Sequence, residues 1–270
     1  MNFAVLDPQG AIGVAERTLM FHAMGFMLIV AAIVYFLLFF FAWRYRAGNK
    51  KAKYLPNWEH GKLEELAWWV IPFEIVLVLG ALTWTSTHQL DPRKPLPGGP
   101  PLVVQVVALD WKWLFIYPEQ GVASVNYLAL PAGRPVEFSV TADAPMNSFW
   151  IPQLGSQIYA MTGMSLKLNL VADKPGVYKG VSANYSGDGF AKMRFNAQAL
   201  APEDFAIWVA TTSASMAMLD LPEYHALAKP SSMQPLYYGD VTPGLYEQIL
   251  GQFMDPSDAG ASRGTGMQHH

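Results

Sequence analysis

Chemistry in a protein needs nucleophiles, titratable side chains or metal donors, and in this chain such residues are sparse and unevenly placed. None of the 270 residues is a cysteine, which removes thiolate nucleophiles, disulfides, Cys-ligated zinc, iron–sulfur clusters and copper–thiolate centres. Residues 89–224 also lack histidine. Electron-transfer copper centres need thiolate and imidazole donors, and methionine alone is a weak ligand, so this segment cannot hold one. His269 and His270 end the chain in a polar tail and read as solvated, not metal-bound. Two ionisable residues instead interrupt apolar runs, His22 and Glu74. A lone histidine at headgroup depth explains His22, because haem and metal sites in membranes need several ligands. A carboxylate in hydrocarbon costs roughly 2.5–3.5 kcal/mol and as a rule faces protein or water. Glu74 therefore reads as facing a partner subunit, with a protonated carboxyl one turn below the interface and without a role as the plain alternative.

The runs that carry these two residues define the first elements. Hydrophobic residues make up 52% of the chain and charged ones 14%, too apolar for an ordinary soluble protein of this length. Thr18–Trp43 and Leu66–Thr87 each supply the roughly 20 apolar residues that cross a bilayer, the second with Pro72 as an expected kink. The segment between them holds Arg44, Arg46, Lys50, Lys51, Lys53 and Lys62, against Arg17 before the first run and Arg93 and Lys94 after the second. Positive charge stays inside, so the loop is cytoplasmic and both flanks face outward, in a bacterium the periplasm across the inner membrane. Trp43, Trp68, Trp69 and Trp84 fall at the expected interfaces. The first run is too long for a signal peptide, and none is visible before it. The net charge of -3 gives no basic excess for nucleic acid.

Beyond the membrane, the proline- and glycine-rich residues 89–101 read as a linker. Seven short β-rich runs follow, at 102–109, 111–117, 125–130, 134–142, 165–172, 176–183 and 192–199, and this spacing predicts a β-sandwich over 102–200. After Pro202, helical spacing in EDFAIWVATTSASMAML and GLYEQILGQFM predicts a small helical appendage over 201–255, and 256–270 reads as disordered. The expected order is therefore an outer segment 1–17, spans at 18–43 and 65–88 around a loop at 44–64, the linker, the sandwich, the appendage and the tail.

The strings MNSFWIPQLGSQIYAMTGM at 146–164 and SANYSGDGFAKM at 182–193 resemble the two copper-ligand segments of subunit II of haem–copper terminal oxidases. On that overlay Asn147 stands where the family has its first histidine ligand. Ser182 and Ser186 replace the two cysteines, Phe190 replaces the second histidine, and Met193 keeps its identity. With ALDWKWLFIYPEQGVASVN at 108–126, VLDPQGAIG near the N-terminus and KYLPNW in the loop, the chain is most similar to the quinol-oxidising branch, subunit II of cytochrome bo-type ubiquinol oxidases.

The resemblance implies a cupredoxin-like sandwich with no metal or other cofactor of its own, in a complex that oxidises ubiquinol, reduces dioxygen to water and pumps protons. Haems and copper are then expected in subunit I, the main partner, beside further small membrane subunits and the lipid bilayer. It implies a proton-path entrance at Glu65, seven residues before Pro72, against the plain reading of an edge carboxylate beside Glu64 and Lys62. Trp111 and Trp113 match an aromatic cluster that passes electrons in copper-bearing members; without copper they read as core and partner-facing packing. Members of this branch are commonly lipoproteins with a cysteine before the Leu-Asp-Pro string, where this chain has Met1. The rivals are a copper-bearing electron carrier, rejected by its donor count, and a free-standing membrane-anchored periplasmic binding module.

Overall fold

A computed structural model of the chain describes residues 4–51 and 61–253. The loop string at 53–58, apart from its frame, and the tail with His269 and His270 lie outside the described residues. The chain divides into a helical unit, Arg17–Asp91, and a β-rich unit formed by Met1–Glu16 with Pro92–His270.

The helical unit contains α1 (Ala11–Arg44) and α2 (Lys62–Gln89), both long and apolar enough to cross a membrane. Large apolar side chains such as Phe36, Phe39, Trp69 and Trp84 are exposed along them, a surface suited to lipid or to another protein. Both helices start before the expected spans at 18 and 65. Hydropathy marks only the apolar stretch, whereas Ala11, Ala15, Glu16 and Arg17 before the first span, and Lys62, Leu63 and Glu64 before the second, are good helix formers. Pro72 lies inside α2, where it withdraws one backbone donor.

In the β-rich unit two sheets face each other. One comprises β1 (Leu102–Leu109), β2 (Lys112–Tyr117), β3 (Val122–Val125), β5 (Val136–Ala142), β8 (Leu166–Leu170) and β12 (Leu236–Tyr238), in the order β12-β3-β2-β1-β5-β8. The other comprises β4 (Tyr127–Pro131), β6 (Asn147–Trp150), β7 (Ile158–Ala160), β9 (Gly176–Ser182) and β10 (Arg194–Leu200), in the order β4-β10-β9-β6-β7. Between them lie Val104, Val106, Trp113, Phe115, Phe138, Phe149 and Phe195, each fully or nearly fully buried. A side chain of this size contributes on the order of 1.5–3 kcal/mol by leaving water.

The segment ahead of the first span is stitched to this sandwich. The Gln9 amide N–H donates to the Gln153 carbonyl at 2.7 Å, its carbonyl accepts from Asp173 N–H at 2.9 Å, and Gly13 N–H donates to Leu154 O at 3.1 Å. Ser156 Oγ donates to the Glu16 carboxylate. Gly10 is required here, because a Cβ would come within 2.3 Å of the Val171 carbonyl oxygen.

The region after residue 200 holds the expected helices and adds short strands between them. It contains α3 (Pro202–Ser213), α4 (Leu221–Ala228) and α5 (Leu245–Gly251), but also β11 (Met218–Leu219) paired with β13 (Asp240–Val241), while β12 extends the six-stranded sheet through β3. The helical spacing expected to run on to Leu219 breaks at Ser213. The prolines expected to interrupt 220–243 do not prevent α4. Pro222 occupies its first turn, where no N–H is needed, and Asp220 caps it by accepting from Glu223 N–H at 2.9 Å.

This region covers the outer face of the six-stranded sheet and forms a second core. Val107, Leu109, Leu114, Ile116 and Val125 pack there with Leu219, Tyr224, Tyr238, Leu245 and Ile249. Strands β1 and β2 are thus buried on both faces. That accounts for their nearly continuous apolar sequences, LVVQVVAL and KWLFIY, where a half-solvated strand would alternate.

Candidate functional site

At one end of the sandwich the start of β6, the end of β9 and the segment before β10 meet, and they bring together Asn147, Ser182, Ser186 and Met193, all buried. Asn147 Nδ2 donates to Ser186 Oγ at 3.3 Å and lies 3.1 Å from Met193 Sδ. Its Oδ1 accepts from Ser182 Oγ and, at 2.8 Å, from Ser148 N–H. Ser182 Oγ also reaches the Asn184 carbonyl at 3.1 Å. Every polar atom of the Asn147 side chain is therefore used within the cluster, as a buried amide requires. Phe190 does not join it. This half-buried residue opens a short 3-10 turn, Phe190–Lys192, and packs edge-on against Tyr185 at 5.6 Å.

The donor set is one carboxamide, two hydroxyls and one thioether, and the first three already bond one another. It does not fit a copper electron-transfer centre, which needs thiolate and imidazole. Among the described residues, no group of three or more His, Asp or Glu side chains is placed to hold a metal ion.

The turn Trp111–Lys112–Trp113 ties this end to the rest of the unit through three different contacts. Trp111, at φ 64, donates its indole N–H to the Ser186 carbonyl at 3.1 Å and lies over the 187–189 loop. A Cβ on Gly189 would meet the Trp111 ring at 2.1 Å. Trp113 is fully buried and packs edge-to-face on Phe149 and Phe195. Lys112, on the opposite face of β2, is also fully buried and donates to the Lys229 carbonyl at 2.7 Å, Ser231 Oγ at 2.7 Å and the Ser231 carbonyl at 3.5 Å. Burial holds the Lys112 ammonium below its usual pKa, opposed in part by the nearby Asp110 charge.

Sequence reading singled out both tryptophans and missed the lysine between them. Its signal was a charged residue inside the apolar run 111–117, at the first position of β2. Asn126 was missed as well: at φ 56 its Oδ1 accepts Trp113 N–H at 2.9 Å while its Nδ2 donates to Met233 O at 2.9 Å. Tyr224 adds a third tie, donating to Asp143 Oδ2 at 2.5 Å in the loop that leads to Asn147.

The membrane candidates lie in the helical unit and join no cluster there. His22 is exposed on α1. Glu65 is exposed in the first turn of α2, where its amide N–H bonds the Gly61 carbonyl at 2.9 Å and, with Glu64, its charge suits the helix dipole. Glu74 is exposed near the middle of α2.

Fold and site together define a membrane-anchored β-sandwich protein whose loop end carries amide and hydroxyl groups where the overlay places copper ligands. Residues 214–257 match the family model described as COX Aromatic Rich Motif, the stretch that builds the second core. The cytochrome bo(3) ubiquinol oxidase subunit 2 of Pseudomonas putida is 50% identical over 254 residues, covering 93% of this chain and 81% of its own. That of Pseudomonas aeruginosa is 47% identical over 273 residues, covering 99% and 82%. Among solved structures, the periplasmic domain of subunit II of cytochrome oxidase from Bradyrhizobium japonicum aligns with 42% of this chain and 95% of its own, at TM-score 0.40 and 23% identity. On the identity and coverage of these relatives, the chain belongs to the ubiquinol oxidase subunit 2 family.

Proposed function

We propose that this oxidase subunit is non-catalytic and carries no electrons itself. Ubiquinol is oxidised, and dioxygen reduced to water with proton pumping, at haem and copper centres in subunit I, and further small membrane subunits complete the assembly. The hairpin packs in the bilayer of a bacterial inner membrane, with its basic loop in the cytoplasm and the β-rich unit in the periplasm. The observation that carries this reading is the closed hydrogen-bond cluster of Asn147, Ser182 and Ser186 with Met193, at the positions where the copper-bearing branch keeps its ligands. Replacing ligands by groups that satisfy one another retains the fold of the loops and removes the metal chemistry. Glu65 is proposed as a proton-entry group; its exposure at the helix start is compatible with that role and equally with a dipole-stabilising carboxylate.

Purification from native membranes in mild detergent tests the reading. A large haem-bearing polypeptide is expected to co-purify, with all copper assigned to it once the chains are separated. A chain that emerges alone and haem-free overturns the reading in favour of a free-standing binding module.

A further inference from the structure

We propose that the cavity between strands β9 and β10 and the connector leading into β12 is a binding site for a phosphate-type oxyanion, gripped by Lys179 and Arg194. This site belongs to the β-rich unit alone and is independent of the subunit's part in electron transfer.

Strand pairing puts the two cations together. In the antiparallel ladder of β9 and β10, Arg194 stands opposite Val181 and Asn196 opposite Lys179. Side chains alternate along a strand, so Arg194, Asn196 and Lys179 share one face. Their neighbours Phe195, Ala197 and Tyr178 are buried, which makes that face the outer one. Lys179 and Arg194 are diagonal neighbours, a separation at which long side chains reach each other and like charges repel. The same face of the two strands carries Val177, Val181 and Gln198, so no carboxylate of β9 or β10 offsets the pair.

The cavity has a volume of about 330 Å³ and is lined by Lys179, Arg194 and Asn196 and, across from them, by Asn126, Met233 and Gln234. No Asp or Glu is among the described residues that line it. Its far wall is held in place, because Asn126 Nδ2 donates to the Met233 carbonyl at 2.9 Å and Leu236 pairs with Val125. Among the described residues, the side chains of Lys179, Arg194, Asn196 and Gln234 make no hydrogen bond or ion pair. All four carry N–H donors: an ammonium, a guanidinium fork and two carboxamides. Such a set suits a group with three or four outward oxygens better than a carboxylate, which offers two. The chain as a whole has a net charge of -3, so attraction of an anion here is local to the cavity. Free phosphate and a phospholipid head group present the same chemistry.

Site-resolved lysine acetylation tests this on the full chain, purified from native membranes in mild detergent with whatever accompanies it. Inorganic phosphate is the probe, and sodium chloride at matched ionic strength is the reference. Millimolar phosphate is expected to slow acetylation of Lys179 severalfold and to leave the exposed Lys174 unchanged, as read by mass spectrometry. In Arg194→Gln the phosphate concentration needed is expected to rise about tenfold, through loss of charge-assisted hydrogen bonds. The same reaction in nanodiscs of phosphatidylglycerol, compared with phosphatidylcholine, separates the two sources. Protection by inorganic phosphate assigns the site to the free anion. Protection only in phosphatidylglycerol, lost in Arg194→Gln, assigns it to a lipid head group. Equal reactivity of Lys179 under all these conditions, protection shared by Lys174, or protection unchanged in Arg194→Gln overturns the inference.

Discussion

Asn147 holds together the loop end where the sequence overlay places copper ligands. Its amide donates to Ser186 and lies against Met193, and it accepts from Ser182 and Ser148, so no buried polar atom of that side chain is left over. Removing it takes the Asn147 partner from Ser186 Oγ and from Ser148 N–H, while Ser182 Oγ keeps the Asn184 carbonyl, and opens a cavity, each effect costing about 1–3 kcal/mol. Asn147→Ala is therefore expected to lower the thermal stability of the complex by several degrees, read by differential scanning fluorimetry. Lys112 performs the same service for the connector after α4, and Lys112→Met leaves the Lys229 and Ser231 carbonyls without their donor. Amide exchange across 229–238 is expected to speed up at least tenfold, while exchange in β9 and β10 stays as before. At this scale the sequence was partly legible. The positions of Asn147, Ser182, Ser186 and Met193 could be aligned with a ligand pattern, and the structure brings those four together. Phe190 was aligned with them but turns to Tyr185, because a phenyl ring gains nothing from a hydrogen-bonded cluster. The bonds of Lys112 to Lys229 and Ser231 and of Asn126 to Met233 were not visible, because those partners lie more than a hundred residues away in sequence.

Elements differ in how openly the sequence states them. The two long helices could be read from the length of their apolar stretches and the seven runs from short apolar segments bounded by turn residues, and β1 matched the expected 102–109. β3, β6 and β7 were missed. They are three or four residues long, too short for any period to show, and are strands because neighbours pair with them. The second core was missed for a related reason: its strands β11, β12 and β13 are two or three residues each, and only the outer face of the six-stranded sheet makes them regular. That core is rich in buried phenols. Burial pushes Tyr246 up to about 12, and Tyr224 and Tyr238 are raised by burial and by the carboxylates they bond, Asp143 and Glu223. An unfolded tyrosine ionises near 10. The folded state thus binds more protons in this range, so the stabilisation is complete below about pH 10 and is lost as pH rises through about 12. Lys112, with its lowered pKa, acts in the opposite sense as a single group. Titration of phenolate absorbance is expected to show a cooperative rise above pH 10 that coincides with loss of near-UV circular dichroism. A rise to the full amplitude of all 12 tyrosines near pH 10 with the fold intact would contradict the burial of these hydroxyls.

The whole molecule combines a hairpin exposed to lipid and partner with a β-rich unit whose sandwich core, loop-end cluster and second core are bound together through Trp111, Lys112 and Trp113. On the function proposed above, a subunit built in this way acts by anchoring and positioning, with no path for electrons through its own side chains at the loop end. The most direct test is ubiquinol-driven oxygen uptake by the purified complex, normalised to haem, with Asn147→Ala compared against the unaltered chain. The account predicts turnover per haem unchanged within about twofold even though the variant complex is less stable. A fall in turnover per haem of two or more orders of magnitude, in complex that retains its subunits and haem, would show that electrons do pass through this site.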